Sequence, residues 1–319
     1  MVFVMKRAAA SNAYRKPSVK RRLRKYWPLY LLALPSIAYL IINNYMPMVG
    51  LILAFKDYSF ADGIFGSPWK GFGNFTYLFS SKWAAIMFRN TVLYNVVFIV
   101  LGTLFAIFVA ILLGEIKHIK VRNFFQAMIL IPHLVSMVLV AYLVFAFLAT
   151  NGFINKGILE PTGAKAIKFY TAKQYWPFIL VLVHLWKGFG FQSVVYFATI
   201  LGFDKTYYEA AVVDGAGTWQ QITKITLPLL KPTIIILTIM AIGRMFSSDF
   251  GLFYQIPMNS GQLYAVTTTI DTFTYRTLME EHDVSRALAA GFLQSVLGFI
   301  LVLGTNLVVR KIEPENALF

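Results

Sequence analysis

Six stretches of this chain each run long enough without a break in apolar character to cross a lipid bilayer, and no other feature restricts its fold so tightly. About 20 consecutive apolar residues span the hydrocarbon core as a helix. Such stretches lie near 28–54, 88–114, 124–148, 176–202, 232–250 and 288–310. In lipid every backbone N–H and C=O must find its partner within the protein, which leaves helices or closed barrels. The alternating pattern of barrel strands is absent. The expected fold class is therefore all-α: a polytopic membrane protein with six transmembrane helices. Composition agrees, with 58% hydrophobic and 13% charged residues, against about 45–50% and about 25% in soluble domains. The fifth stretch is the least clean, because Arg244 and Asp249 fall in its second half.

An even number of spans puts both termini on one side. The segment 1–27 carries Lys6, Arg7, Arg15, Lys16, Lys20, Arg21, Arg22, Arg24 and Lys25 and no acidic residue. The excess of Lys and Arg in this tail and in the short connections places both termini and the 203–231 loop in the cytoplasm. The tail suits anionic lipid, and no nucleic-acid role is expected. The organisation then reads as a basic cytoplasmic tail (1–27), a first transmembrane helix (28–54), an external loop (55–87), a core of five helices (88–310) and a short cytoplasmic tail (311–319). The first apolar stretch is too long for a cleavable leader and no small-residue cleavage site follows it, so it is expected to remain as a span. With no cysteine, neither disulfides nor thiol metal sites are available.

Three long connections, about 55–87, 149–175 and 251–287, fall on the outside and are rich in aromatic, Gly and polar residues. The inner connection near 115–123 is short and basic. The other inner connection, 203–231, reads as a helical hairpin. Asp204 can cap a first helix carrying Tyr207, Tyr208, Glu209, Ala210, Ala211 and Val212. Gly215 and Gly217 supply a stop and a turn. Thr218 and Gln221 have capping-box spacing, which starts a second helix near Trp219, and Pro228 is expected to end it. A hairpin with Trp219, Ile222, Ile225 and Leu227 is not comfortable in water alone. Its apolar face is expected to dock on the protein's own spans or on another protein.

Glu209-Ala210-Ala211, Asp214-Gly215-Ala216 and then Ile225, Leu227 and Pro228 resemble the EAA motif of membrane-spanning permease subunits of ABC importers that use an extracytoplasmic solute-binding protein. The loop lies between spans four and five, where sugar-type permeases carry it, and HLWKGFGF (184–191) resembles the piece that precedes the motif there. ALPSIAYLIINNYMPMVGLILAFKDY (33–58), GSPWKGFGNF (66–75) and Asn90-Thr91 are similar to a narrower group, the Gram-positive permeases for oligosaccharides and polysaccharide fragments served by lipoprotein binding proteins.

The resemblance implies the type I importer (MetI-like) permease fold, with the hairpin as a cytoplasmic coupling helix seated in a cleft of an ATPase. It implies a bacterial plasma-membrane assembly: this chain, a second permease subunit of a different sequence, two ATP-binding subunits, and a solute-binding lipoprotein that delivers an oligosaccharide. ATP and Mg would be held by the ATPase, with no cofactor in this chain. The residues implied in coupling are Glu209, Ala210, Ala211, Asp214, Gly215, Ala216, Thr218, Ile225, Leu227 and Pro228. Glu209 would face an Arg or Lys of the ATPase, and Gly215 would let the chain reverse.

Polar side chains within spans face a cavity or a partner helix. Those with the chemistry to line a sugar pathway are His184, Trp186, Lys187, Gln192 and Tyr196 in the fourth span, Arg244 and Asp249 in the fifth, and Asn306 in the sixth. Hydrogen bonding between helices, or an Arg244–Asp249 pair, accounts for the same residues structurally. Lys187 and Arg244, with the four lysines of 149–175, would favour an anionic oligosaccharide such as a uronate-containing pectin (rhamnogalacturonan) or alginate fragment.

Catalysis is not expected. GILEPTGAK (157–165) lacks phosphate-loop spacing, and four scattered histidines make no metal site. Two rivals remain: a secondary carbohydrate transporter, and a sensor subunit on the same fold working without an ATPase. The hairpin argues against the first, since such a carrier has no use for it.

Overall fold

The computed structural model describes residues 19–312 and 314–317. Among them no β-strand occurs, only an isolated antiparallel bridge between Lys56 and Trp69. The chain forms two compact units, divided between Ile52 and Leu53. Within the first lies α1 (Val19–Leu40), with Pro28 and Pro35 inside it. It runs on through a π-turn, Ile41–Tyr45, and a 3₁₀ segment to Phe55, giving one apolar helical stretch from Lys25 to Phe55. The basic residues before Val19 lie outside the described residues.

The second unit holds α2 (Gly73–Ser80), α3 (Lys82–Glu115), α4 (Ile119–Leu134), α5 (Met137–Leu148), α6 (Trp176–Leu201), α7 (Thr206–Val213), α8 (Thr218–Gly243), α9 (Phe250–Tyr254), α10 (Ile270–Met279) and α11 (Val284–Ile312). Four of these helices, α3, α6, α8 and α11, are long and apolar enough to cross a membrane singly. The third expected span, 124–148, is not one helix. α4 and α5 meet at an 89° bend, so the described residues hold six candidate spans only if this pair counts as one. The breakage has a local cause. Pro132 removes a backbone donor near the end of α4, and the Ser136 hydroxyl caps α5 by accepting from the Leu139 N–H at 3.3 Å.

The fifth span also differs from expectation. Pro228 does not end the helix that begins at Thr218; that helix continues to Gly243. The proline ring cannot accept a normal turn before it, and the backbone widens into a π-turn at Ile222–Thr226. The same arrangement recurs: the π-turn Ile41–Tyr45 precedes Pro47 and the π-turn Ile154–Leu159 precedes Pro161. At its other end α8 stops at Gly243, short of the expected 250. Residues 244–249 form a turn, so Arg244 and Asp249 lie beyond the helix.

The most extensive helix pair is α3 with α6. Ala106 and Ala110 are fully buried on α3 and pack beside Tyr196 and Phe197 of α6 and Leu230 of α8. Small residues one turn apart let membrane helices approach closely where no hydrophobic drive exists between them. Nearer the start of α3, Tyr94 and Phe98 join Val140, Trp176, Leu180, Phe253 and Leu263 in a second cluster. Gly190 of α6 takes close approach furthest: a Cβ there would overlap the Ile129 carbonyl of α4.

Candidate functional site

The hairpin between α6 and α8 is built by local hydrogen bonds that the sequence specifies well. The Asp204 carboxylate accepts from the Thr206 N–H at 3.0 Å at the start of α7, and this backbone hydrogen bond holds its carboxyl below the usual carboxylate range. At the other end, Gly215 adopts φ +77°. The Ala216 N–H donates to the Ala211 carbonyl at 2.8 Å and the Gly215 N–H to the Val212 carbonyl at 3.0 Å. This pair of bonds is a Schellman stop, which needs a left-handed residue at the position Gly215 holds.

α8 then starts one residue earlier than its expected cap. The expected box of Thr218 with Gln221 does not form; Gly217 stands at the cap position with no side chain to offer, and only the return bond is made, the Gly217 N–H donating to Gln220 Oε1 at 3.0 Å. Gln221 instead turns back, its Nε2 donating to the Ala216 carbonyl at 2.9 Å. A hydrogen bond of 3.0 Å between the Tyr208 and Thr226 hydroxyls ties α7 to α8.

The hairpin leaves its apolar tip uncovered. Val213 is 87% exposed and Trp219 75% exposed, and Tyr207 and Val212 are exposed as well. Glu209, Ala210, Asp214, Gly215, Thr218 and Pro228 are exposed, while Ala211, Ala216, Ile225 and Leu227 are half-buried. Ala211, Asp214, Gly215, Gln220, Lys224 and Ile225 are among the residues lining a shallow hollow of about 350 Å³ at the turn.

The polar residues expected in the spans take varied partners among the described residues. Lys187 reaches across from α6 to the α4–α5 bend, where its ammonium donates to the carbonyls of Pro132 (3.3 Å), His133 (3.0 Å) and Val135. Carbonyls at a helix end lack intrahelical donors, and a cation satisfies them while complementing the helix dipole. His184 stacks on Phe98 with ring centroids 3.7 Å apart, and His133 stacks on Phe191 at 4.9 Å. Tyr196 and Asn306 are buried, whereas Trp186 and Gln192 are exposed.

Arg244 and Asp249 do not pair. The Asp249 carboxylate caps α9, accepting from the Leu252 N–H at 3.1 Å. Arg244 is exposed, and its side chain makes no hydrogen bond or ion pair among the described residues.

Two polar networks in 244–287 escaped the sequence reading. Asp271 accepts from the Ser248 N–H (2.6 Å) and hydroxyl (2.7 Å) and from Gln294 Nε2 (3.2 Å), joining the turn after α8 to α10 and α11. Arg276, buried, donates through Nε to Asn259 Oδ1 (3.0 Å) and through one terminal nitrogen to Thr268 Oγ1 (3.1 Å), with the Tyr264 ring 3.8 Å from the guanidinium. Burial holds its pKa below the usual value. Tyr170, in 149–175, is likewise pushed up to about 12 by burial. The run TTTIDTFTYR (267–276) was the available signal, since so many hydroxyls beside apolar residues need buried partners.

Comparison with known proteins agrees with this geometry. The binding-protein-dependent transport system inner membrane component family matches residues 102–314. Protein LplB of Bacillus subtilis is 32% identical over 92% of this chain and 91% of its own length. The polygalacturonan/rhamnogalacturonan transport system permease protein YteP of the same organism is 31% identical over 95% of each chain. Among solved structures, a chain of a bacterial ABC transporter involved in import of the acidic polysaccharide alginate superposes with a TM-score of 0.84, at 31% identity, over 92% of this chain and 99% of that one. A chain of a bacterial alginate ABC transporter in complex with an alginate pentasaccharide-bound periplasmic protein gives 0.83, at 31% identity, over 92% of this chain and 98% of that one. A bundle of apolar helices with an uncovered glycine-turned hairpin, matched over nearly its whole length by such permeases, is a binding-protein-dependent transport system inner-membrane component, and this chain belongs to that family.

Proposed function

We propose that this chain is one of two permease subunits of an ABC importer for oligosaccharides, and that the α7–α8 hairpin is where an ATPase grips it. The observation that carries this reading is the exposed tip: Val213 and Trp219 stand out on either side of the Gly215 turn, on a hairpin braced by the Tyr208–Thr226 hydrogen bond. A rigid apolar projection of this kind calls for a protein cleft to cover it. In this reading both termini and the hairpin are cytoplasmic, two ATP-binding subunits sit below, and a binding lipoprotein delivers the sugar from outside. Closure of the ATPase pair would draw two such hairpins together and rock the spans outward. Glu209 and Asp214, both exposed, are the acidic contacts for the ATPase.

The cargo in this reading is a uronate-bearing oligosaccharide. Support comes from the polygalacturonan/rhamnogalacturonan and alginate systems among the relatives and from Arg244, an exposed cation with no side-chain partner among the described residues. Lys187 lends less support, because its ammonium is committed to backbone carbonyls. Uptake of neutral and uronate-bearing oligomers of equal length, measured in cells that depend on this system, tests the assignment. Preference for the uronate form is expected, and equal uptake of both would remove the charge argument.

A further inference from the structure

The connection 56–81 is far more ordered than a tether between spans needs to be. Asn74 Nδ2 donates to the carbonyls of Ala54 and Lys56, both at 2.9 Å. Lys56, itself 3% exposed, donates to the carbonyls of Ile64 (3.0 Å) and Phe65 (2.8 Å) and pairs with Trp69 in the isolated bridge. The Tyr58 N–H donates to the Ser285 hydroxyl at 2.9 Å, which ties the segment to α11. Its inner layer is complete: Phe75 and Leu78 of α2 are buried, and the Phe75 ring lies against those of Phe55 and Phe292.

Five further large aromatic side chains keep most of their surface uncovered, although the Phe72 ring touches those of Phe55 and Phe75 and the Phe79 ring stacks on Phe88. Phe60, Phe65, Trp69, Phe72 and Phe79 are between 65% and 79% exposed. A folded loop facing water would not keep so many rings out of its own core. A loop at the boundary of a bilayer would, because aromatic rings settle at the headgroup level. The position of the segment in the chain agrees: Phe55 closes one membrane-crossing stretch and Lys82 opens the next. The exposed rings also continue into α3, where Trp83 is uncovered on its first turn.

We infer that 56–81 is an interfacial anchor whose exposed aromatic side chains are dissolved in the headgroup–acyl boundary of the lipid. This rests only on the chain being a membrane protein, not on what it transports. The anchor holds the ends of the first span and of α3 at a fixed depth, and through Ser285 it fixes the start of α11.

Trp69 reports on the surroundings directly. The full chain is placed in nanodiscs of phosphatidylcholine brominated near the headgroup end of the acyl chain, and the emission of Trp69→Phe is subtracted from that of the unaltered chain. The Trp69 component should be quenched about twofold or more, as expected for a ring buried about 5–10 Å into the interface, and should be insensitive to aqueous iodide. Quenching by iodide without quenching by bromine would overturn the inference. Iodide quenching that disappears only when a solute-binding protein is added would assign the face to protein docking instead, and equally reject it. The double variant Phe65→Glu/Phe72→Glu should remain monodisperse yet expose Trp69 to iodide. If it leaves the bromine quenching intact, the rings do not anchor the segment.

Discussion

The ammonium of Lys187 lies 3.0 Å from the main-chain oxygen of His133, at the end of α4 where the third span turns through 89°. With Pro132 and Val135 it takes three carbonyls that no helical N–H can reach. Lys187→Met should cost about 1.5–3 kcal/mol, the usual worth of hydrogen bonds made by a charged group. It should lower the melting temperature in detergent and leave the preference among oligosaccharides unchanged. Unaltered melting with selective loss of uronate uptake would return Lys187 to the pathway.

One turn along, Gly190 of α6 faces the Ile129 carbonyl so closely that no Cβ fits, whereas Gly188 has nothing within 4 Å of the position its Cβ would take. Gly190→Ala should force α4 off α6 at a cost of about 3 kcal/mol. Gly188→Ala should be tolerated. Scanning fluorimetry on the pair checks this, and equal stability of the two variants would mean that α4 and α6 are not in close contact.

The lowered pKa of Asp204 gives the hairpin a pH dependence whose sign is set by its cause. The charged carboxylate accepts the Thr206 N–H, so the cap is complete above the ordinary carboxylate pKa and is lost as pH falls through the lowered value. Hydrogen-exchange protection at the start of α7, taken relative to the intrinsic exchange rate at each pH, should be high at neutral pH and fall on acidification. Asp204→Ala should show the lowered protection at every pH, and identical protection profiles for the two proteins would dismiss the cap.

Arg276 holds the 251–287 connection through side chains that a lysine cannot bridge in the same fork. Arg276→Lys and Arg276→Met should both leave Asn259 and Thr268 short of a donor and raise the rate of limited proteolysis in this segment about tenfold, as for a loss of about 1.4 kcal/mol in local stability. Unchanged cleavage would place the order of this connection elsewhere.

Much of this was legible in the residues. The apolar stretches announced the helices, and the Asp204 cap and the Gly215 stop were readable because each depends on a few neighbouring positions. Sequence reasoning failed where a backbone had two ways to accommodate one residue. Pro228 could end a helix or widen it, and the long apolar run beyond it made continuation the cheaper answer. It failed again where partners are distant in sequence. Lys187 and Pro132, or Asp271 and Gln294, carry no local sign that they meet. The contacts of Lys187 with the carbonyls at the α4–α5 bend are of this kind, invisible until the bend is known.

ATP hydrolysis by the reconstituted importer bears most directly on the role of the hairpin. The chain is purified with the second permease and the ATPase subunits proposed for it, and hydrolysis is measured with and without the sugar-loaded binding protein. Gly215 sits at φ +77° and a Cβ there would meet nothing within 4 Å, so Gly215→Ala strains the turn by about 1–2 kcal/mol without a Cβ clash; Trp219→Ala removes an exposed ring. Both variants should insert and fold. The unaltered complex should hydrolyse ATP faster when the loaded binding protein is added, and both variants should lose that stimulation together with co-purification of the ATPase. Retention of the ATPase and full stimulation in both variants, or sugar uptake that proceeds without ATP, would contradict a coupling role for the α7–α8 hairpin.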